Sequence, residues 1–215
     1  MTSPPVVDIS MPLDGATPVW PGSPGFATSA HLSLADGDAA NATFLQMDVH
    51  CGTHVDAPRH FVEKGMTLDK VGLAPFVGPA WVTDTVGYRA IDADLLESLG
   101  IPYDTKRLLL RTDNSLGSRE APFREDFVAL TVDGAEWIVD RGMDLVGIDY
   151  LSIQGFHDPP DTHQILLGGG TMILEGVDLG HVRSGRWTLL CLPIHLVGTE
   201  AAPARAVLLE ATSDD

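Results

Sequence analysis

Hydrophobic and polar positions alternate over residues 43–50, and this two-residue period predicts a half-buried strand. A short apolar run over residues 5–9 precedes it. Residues 80–86 and 107–112 read as further strands, and the continuous apolar run over 144–149 reads as a strand buried on both faces. Residues 92–99 read as a helix stopped by Gly100, and residues 131–142 carry helical spacing up to Gly142. Three more strands are predicted over 171–175, 187–196 and 204–210. Several late strands have no helical crossover between them, so the pattern predicts a single α/β domain with a mixed central sheet and helices packed on it. Pro18, Pro21 and Pro24 bracket Trp20 and Gly22, which predicts an irregular loop that presents a tryptophan.

Composition narrows the function classes. A chain of 215 residues, 44% hydrophobic, can bury one sizeable core, and we expect one domain over residues 1–215. No stretch reaches the roughly 18 apolar residues that span a bilayer, and residues 1–5 lack a basic and apolar leader, so a cytoplasmic location is expected. The 13 basic and 30 acidic residues give a net charge of −17, which repels phosphate backbones and anionic membranes. Neither nucleic acid nor a membrane is expected as a partner. The acidity fits a solvated surface or a salt-adapted source. Cys51 and Cys191 are too few for a disulfide framework; Cys51, beside His50, is a candidate thiol nucleophile set against an inert buried cysteine.

The chemistry concentrates in residues 50–60. His50, His54, Asp56 and His60 all fall on even positions, so in an extended or looped segment they can project from one side, whereas Gly52 and Pro58 oppose a helix. Imidazole nitrogens and a carboxylate suit zinc, manganese or iron, and the two oxygens of Asp56 can bridge two ions. His163 and Glu175 suggest a second ligand set, with His157 and Asp161 as competitors by spacing. Gly168, Gly169 and Gly170 lack the Lys and Ser/Thr of a P-loop and read as a turn or close packing. Ser152 lacks a G-x-S-x-G elbow, which removes the serine-hydrolase route.

The segment from His50 to His60 reads H-x-G-T-H-x-D-x-P-x-H, and it resembles the metal-dependent cyclase family that includes bacterial kynurenine formamidases and isatin hydrolases. The likeness extends over Asp8-Ile9-Ser10, the Trp20 loop, Gly147-Ile148-Asp149, Ile173-Leu174-Glu175-Gly176 and Pro203 to Val207. It implies a swivelling β/β/α fold, assembled as a homodimer or homotetramer. It implies His50, His54 and Asp56 as ligands of a first ion, with Asp56 shared by a second ion on His163 and Glu175. His60 is implied as the proton donor and acceptor, and Trp20 as a wall of the substrate pocket. Formamidases often carry an aspartate where this chain has Gln154, and a paired histidine where it has His163-Gln164.

These groups lead us to expect zinc, one or two ions per subunit, with manganese as the alternative. The ions would activate a water and polarise the carbonyl it attacks, while His60 moves the proton. Trp20 offers a flat face for an aryl ring, with Phe26, Phe44 and Phe61 as possible partners; its other reading is a core or interface anchor. The expected substrate is a small aromatic amide such as N-formylkynurenine. Ring opening of a cyclic amide such as isatin, a biosynthetic reaction and a non-catalytic metal-binding role are the alternatives.

Overall fold

A computed structural model of the chain describes residues 5–117 and 122–210. The leader reading of residues 1–5 and the outer bounds of the expected domain fall largely outside them. Among the described residues, twelve strands and three α-helices follow in chain order. They are β1 Val6–Asp8, β2 Phe26–Leu32, β3 Ala42–Met47, β4 His54–Asp56, β5 Val77–Asp84, β6 Ala90–Ile91, α1 Ala93–Ser98, β7 Arg107–Arg111, β8 Ala129–Leu130, α2 Val132–Asp140, β9 Leu145–Ile148, α3 Asp161–Gly168, β10 Met172–Glu175, β11 Gly185–Pro193 and β12 Ala201–Glu210.

Eight strands form one mixed sheet in the order β1-β12-β11-β5-β7-β9-β10-β4, and β4 also pairs with β12. That last pairing closes the sheet into a barrel-like ring, with β1 added at the outer part of β12. The pairs β5–β7, β7–β9 and β9–β10 are parallel, and the remaining pairs of this sheet are antiparallel. The fold is α/β with a mixed sheet, as the pattern predicts.

Side-chain alternation explains why the middle strands are apolar throughout. Leu109, Leu145, Met172 and Leu174 join a cluster with Val55, Val82, Leu189 and Leu208. Their neighbours Leu108, Leu110, Val146, Ile148 and Ile173 join a second cluster with helix residues Leu96, Ile138 and Leu166. Both faces of these strands are therefore buried, and period-two polarity vanishes.

The helices start where side chains can satisfy free amides: Asp92 accepts from the Leu95 N–H at 2.8 Å, and Thr131 accepts from the Gly134 N–H at 3.3 Å. Two expectations change. The strand read over 43–50 ends at Met47, is mostly exposed, and leaves His50 in a turn, because β3 pairs only with β2 in a separate ribbon. Helix α3, which carries His163, was not predicted; Pro159 and Pro160 before it and the glycines after it mask a segment of eight residues. At its end the glycines pack closely: a Cβ on Gly169 would lie 2.6 Å from a Val139 methyl.

Candidate metal centre and active site

The site begins on β4. His54 and Asp56, two residues apart, share one face of the strand, and both are fully buried. Across the β4–β10 pairing, Glu175 stands opposite His54, with the His54 Nε2 3.3 Å from Glu175 Oε2 and 3.4 Å from Asp56 Oδ1. Two glycines permit this approach. Gly52 turns the chain at φ +70°, and a Cβ on Gly176 would collide with the Gly52 carbonyl oxygen.

The flanking residues complete the cluster. His50, in the turn before β4, places Nδ1 3.1 Å from Asp56 Oδ1 and Nε2 3.5 Å from Glu200. His60, in the 3-10 turn Pro58–His60, lies 3.8 Å from Asp56 Oδ2, and its ring sits 4.1 Å from that of His50. His163, buried on α3, reaches Glu175 Oε1 at 3.2 Å and Asp56 Oδ2 at 4.0 Å. Phe61 stacks on the His163 ring at 4.3 Å. The six polar residues expected from the sequence therefore converge, with Asp56 between the two halves. Their competitors do not: His157 pairs with Glu125 at the surface, and Asp161 is exposed.

The donor set fits a metal. His54 Nε2 and both oxygens of Asp56 are buried without an aligned hydrogen-bond partner, an arrangement that burial makes costly unless a cation satisfies them. His54, Asp56 and Glu175 form one group of converging ligand atoms, and His50, Asp56 and His60 form another. The Gly52 carbonyl, which can only accept, lies 2.9 Å from His54 Nδ1; it fixes the proton there and leaves Nε2 to face the carboxylates.

The electrostatics agree. Burial alone would lower the pKa of His54, but the Asp56 and Glu175 carboxylates raise it to about 9. Burial and the Glu175 charge push Asp56 up, and the His50 and His54 imidazoles outweigh them, so it sits below the ordinary carboxylate range. Glu175 is held low by His163 and His54 against its own burial. His50 is raised because contact with Asp56 exceeds the effect of burial. His60 is lowered, chiefly by burial, which favours its neutral form.

The family model described as putative cyclase matches residues 7–154. The chain belongs to this Cyclase family. Among its relatives, Cyclase-like protein 3 of Arabidopsis thaliana is 37% identical over 95% of this chain and 79% of its own length. The kynurenine formamidase of Sphingopyxis alaskensis is 34% identical over 94% of this chain and 97% of its own. A solved structure described as a potential metal-dependent hydrolase with cyclase activity superposes with a TM-score of 0.84 at 32% identity, covering 97% of this chain and 98% of that one. At the level of the Cyclase family, the chemistry is metal-dependent amide hydrolysis.

Trp20 lies in an irregular loop, as predicted, and is partly exposed. Its ring contacts are with Phe123 at 5.3 Å, Phe156 at 5.2 Å and Phe127 at 6.5 Å. None of the expected partners Phe26, Phe44 and Phe61 is among these ring contacts; Phe44 is exposed on the ribbon and Phe61 covers His163. Beside them a cavity of about 110 Å³ is lined by Pro18, Arg124 and Tyr150, among others. Sequence reasoning missed Phe123, Phe127 and Phe156 because no local pattern links them to Trp20. Cys51 is buried, and burial and the Asp48 charge raise its pKa, which disfavours the thiolate. No helix among the described residues is long and apolar enough to cross a membrane.

Proposed function

We propose that the chain hydrolyses a small aryl formamide, with N-formylkynurenine as the first substrate to test, releasing formate and the aryl amine. The observation that carries this reading is the convergence of His50, His54, Asp56, His163 and Glu175 around unpaired buried oxygens, with His60 at the rim. In this reading His50, His54 and Asp56 would hold one divalent ion, and Asp56, His163 and Glu175 would hold a second, with zinc or manganese as the metal. When bound, such an ion would supply acidification of a water and polarisation of the scissile carbonyl. His60 takes the proton that water loses and returns it to the departing nitrogen as the C–O bond forms and the C–N bond breaks. Trp20 and its aromatic neighbours hold the aryl ring.

The test uses chelator-stripped protein reloaded with zinc or with manganese. Formate and kynurenine should appear with the metal. His60→Ala should retain the metal and lose about 10²–10⁴-fold in turnover. Metal uptake with no turnover of N-formylkynurenine sinks that substrate. Opening of a cyclic amide such as isatin is the second reading, favoured by Gln154, which departs from the formamidase pattern beside His163. Product analysis with both substrates separates the two.

A single domain, a cytoplasmic location and assembly as a homodimer or homotetramer belong to the same reading. Assembly is supported by the β2–β3 ribbon, which exposes Phe44 and Leu45, since a two-stranded ribbon is marginal alone in water. Light scattering after size exclusion should give two or four copies; a monomer would refute the assembly.

A further inference from the structure

The segment just before α3 supports two of the three residues that would hold the second ion, Glu175 and His163. The Ile153 N–H donates to Glu175 Oε1 at 2.8 Å. The next residue, buried Gln154, places Oε1 3.2 Å from His163 Nδ1 and 3.4 Å from the His163 backbone N–H, which donates to it. Its Nε2 donates to the Asp158 carbonyl at 3.3 Å. The backbone N–H can only donate and the carbonyl can only accept, so together they settle which end of the amide is oxygen. That oxygen requires a proton on His163 Nδ1, and the ring then turns Nε2 toward Glu175 and Asp56.

We propose that Gln154 is the positioning residue of the second ion site. Its side-chain oxygen fixes the ring orientation and protonation of His163, as the Gly52 carbonyl does for His54. The inference rests on the two-ion reading above and adds a residue whose role is to aim a ligand. Outer partners of this kind typically change metal affinity by about 10–100-fold. Gln154 is a neutral amide, so the support it gives is weaker than that of a carboxylate.

The test compares zinc-loaded wild type with Gln154→Met, which keeps the shape and loses the acceptor, and Gln154→Glu, which keeps an acceptor. Two quantities are read: the ¹⁵N and ¹H signals of the His163 ring, assigned with His163→Ala, and zinc affinity by chelator competition. In wild type and Gln154→Glu, His163 Nδ1 should carry a hydrogen-bonded proton. Gln154→Met should lose that signal and weaken one zinc by about 10–100-fold while the other holds. Gln154→Glu should bind that zinc at least as tightly as wild type. An unchanged Nδ1 signal in Gln154→Met, or equal weakening of both ions, overturns the role of Gln154. A wild-type stoichiometry of one zinc overturns the two-ion reading instead, and the ring signals still decide what Gln154 does.

Discussion

Asp56 and Asp149 are both buried carboxylates, and their surroundings differ in kind. Asp149, after β9, has Oδ2 bonded by the Thr112 N–H at 2.8 Å and Oδ1 by the Thr112 hydroxyl at 2.7 Å. Burial without a facing cation raises its pKa to about 6, although hydrogen bonds oppose the rise. Asp56 has close imidazoles but no aligned donor on either oxygen, and its pKa is lowered. A buried acid with filled hydrogen bonds ties strands and turns together. One held charged with open oxygens is arranged for a cation from outside the chain.

The largest effect that sharpens this contrast is at Asp56. Asp56→Asn keeps the volume and removes the shared charge, so we expect metal content to fall and metal-restored hydrolysis to drop by more than the roughly 100-fold upper range for an outer-shell partner. Metal analysis beside an activity assay checks it; full metal content and full turnover in the Asp56→Asn variant would make Asp56 a structural acid like Asp149.

The two regions also predict separate pH windows. In metal-stripped protein, His54 has a folded-state pKa of about 9 against an ordinary 6.5, so its stabilising contribution is complete below 6.5 and lost as pH rises to about 9. The range is on the order of 3 kcal/mol, from about 1.4 kcal/mol per pKa unit. Denaturant titrations should show this loss, and saturating zinc should remove it. Asp149, raised from 3.8 to about 6, also binds its proton more tightly in the folded chain, so stability falls as pH rises between those values. That change is on the order of 3 kcal/mol at most, and Asp149→Asn should abolish it with or without metal. An unchanged slope between pH 4 and 6 in the Asp149→Asn variant would contradict the assignment.

The sequence made the first half of the site legible because His50, His54, Asp56 and His60 lie within eleven residues, and β4 sets His54 and Asp56 on one face. For the second half, spacing suggested His163 and Glu175 but left His157 and Asp161 as competitors, and only the resemblance separated them. His163 sits on a short unpredicted helix and Glu175 at the end of β10, and the pairing of β10 with β4 brings them in. That pairing depends on ring closure through β12, which no local pattern encodes. The apolar runs at β7, β9 and β10 did announce strands, and the run at β9 also announced burial on both faces. The outer support is the least visible part. Gln154 was marked as a departure, yet its hold on His163 depends on the fold of the segment before α3.

The smallest expected effect concerns the aromatic group, which belongs to neither acid site. Trp20 meets Phe123 and Phe156 edge-on or tilted, and such contacts add about 0.5–1.5 kcal/mol beyond buried area. If the ring also packs against an aryl substrate, Trp20→Ala should raise KM for an aryl formamide by about tenfold, which is near 1.4 kcal/mol. Turnover of a small aliphatic formamide should stay the same, because that substrate has no ring to place. Metal content should also stay the same, since the Trp20 contacts are with Phe123, Phe127 and Phe156. Equal loss for aryl and aliphatic substrates would make Trp20 a structural anchor and would put the ring-binding surface elsewhere.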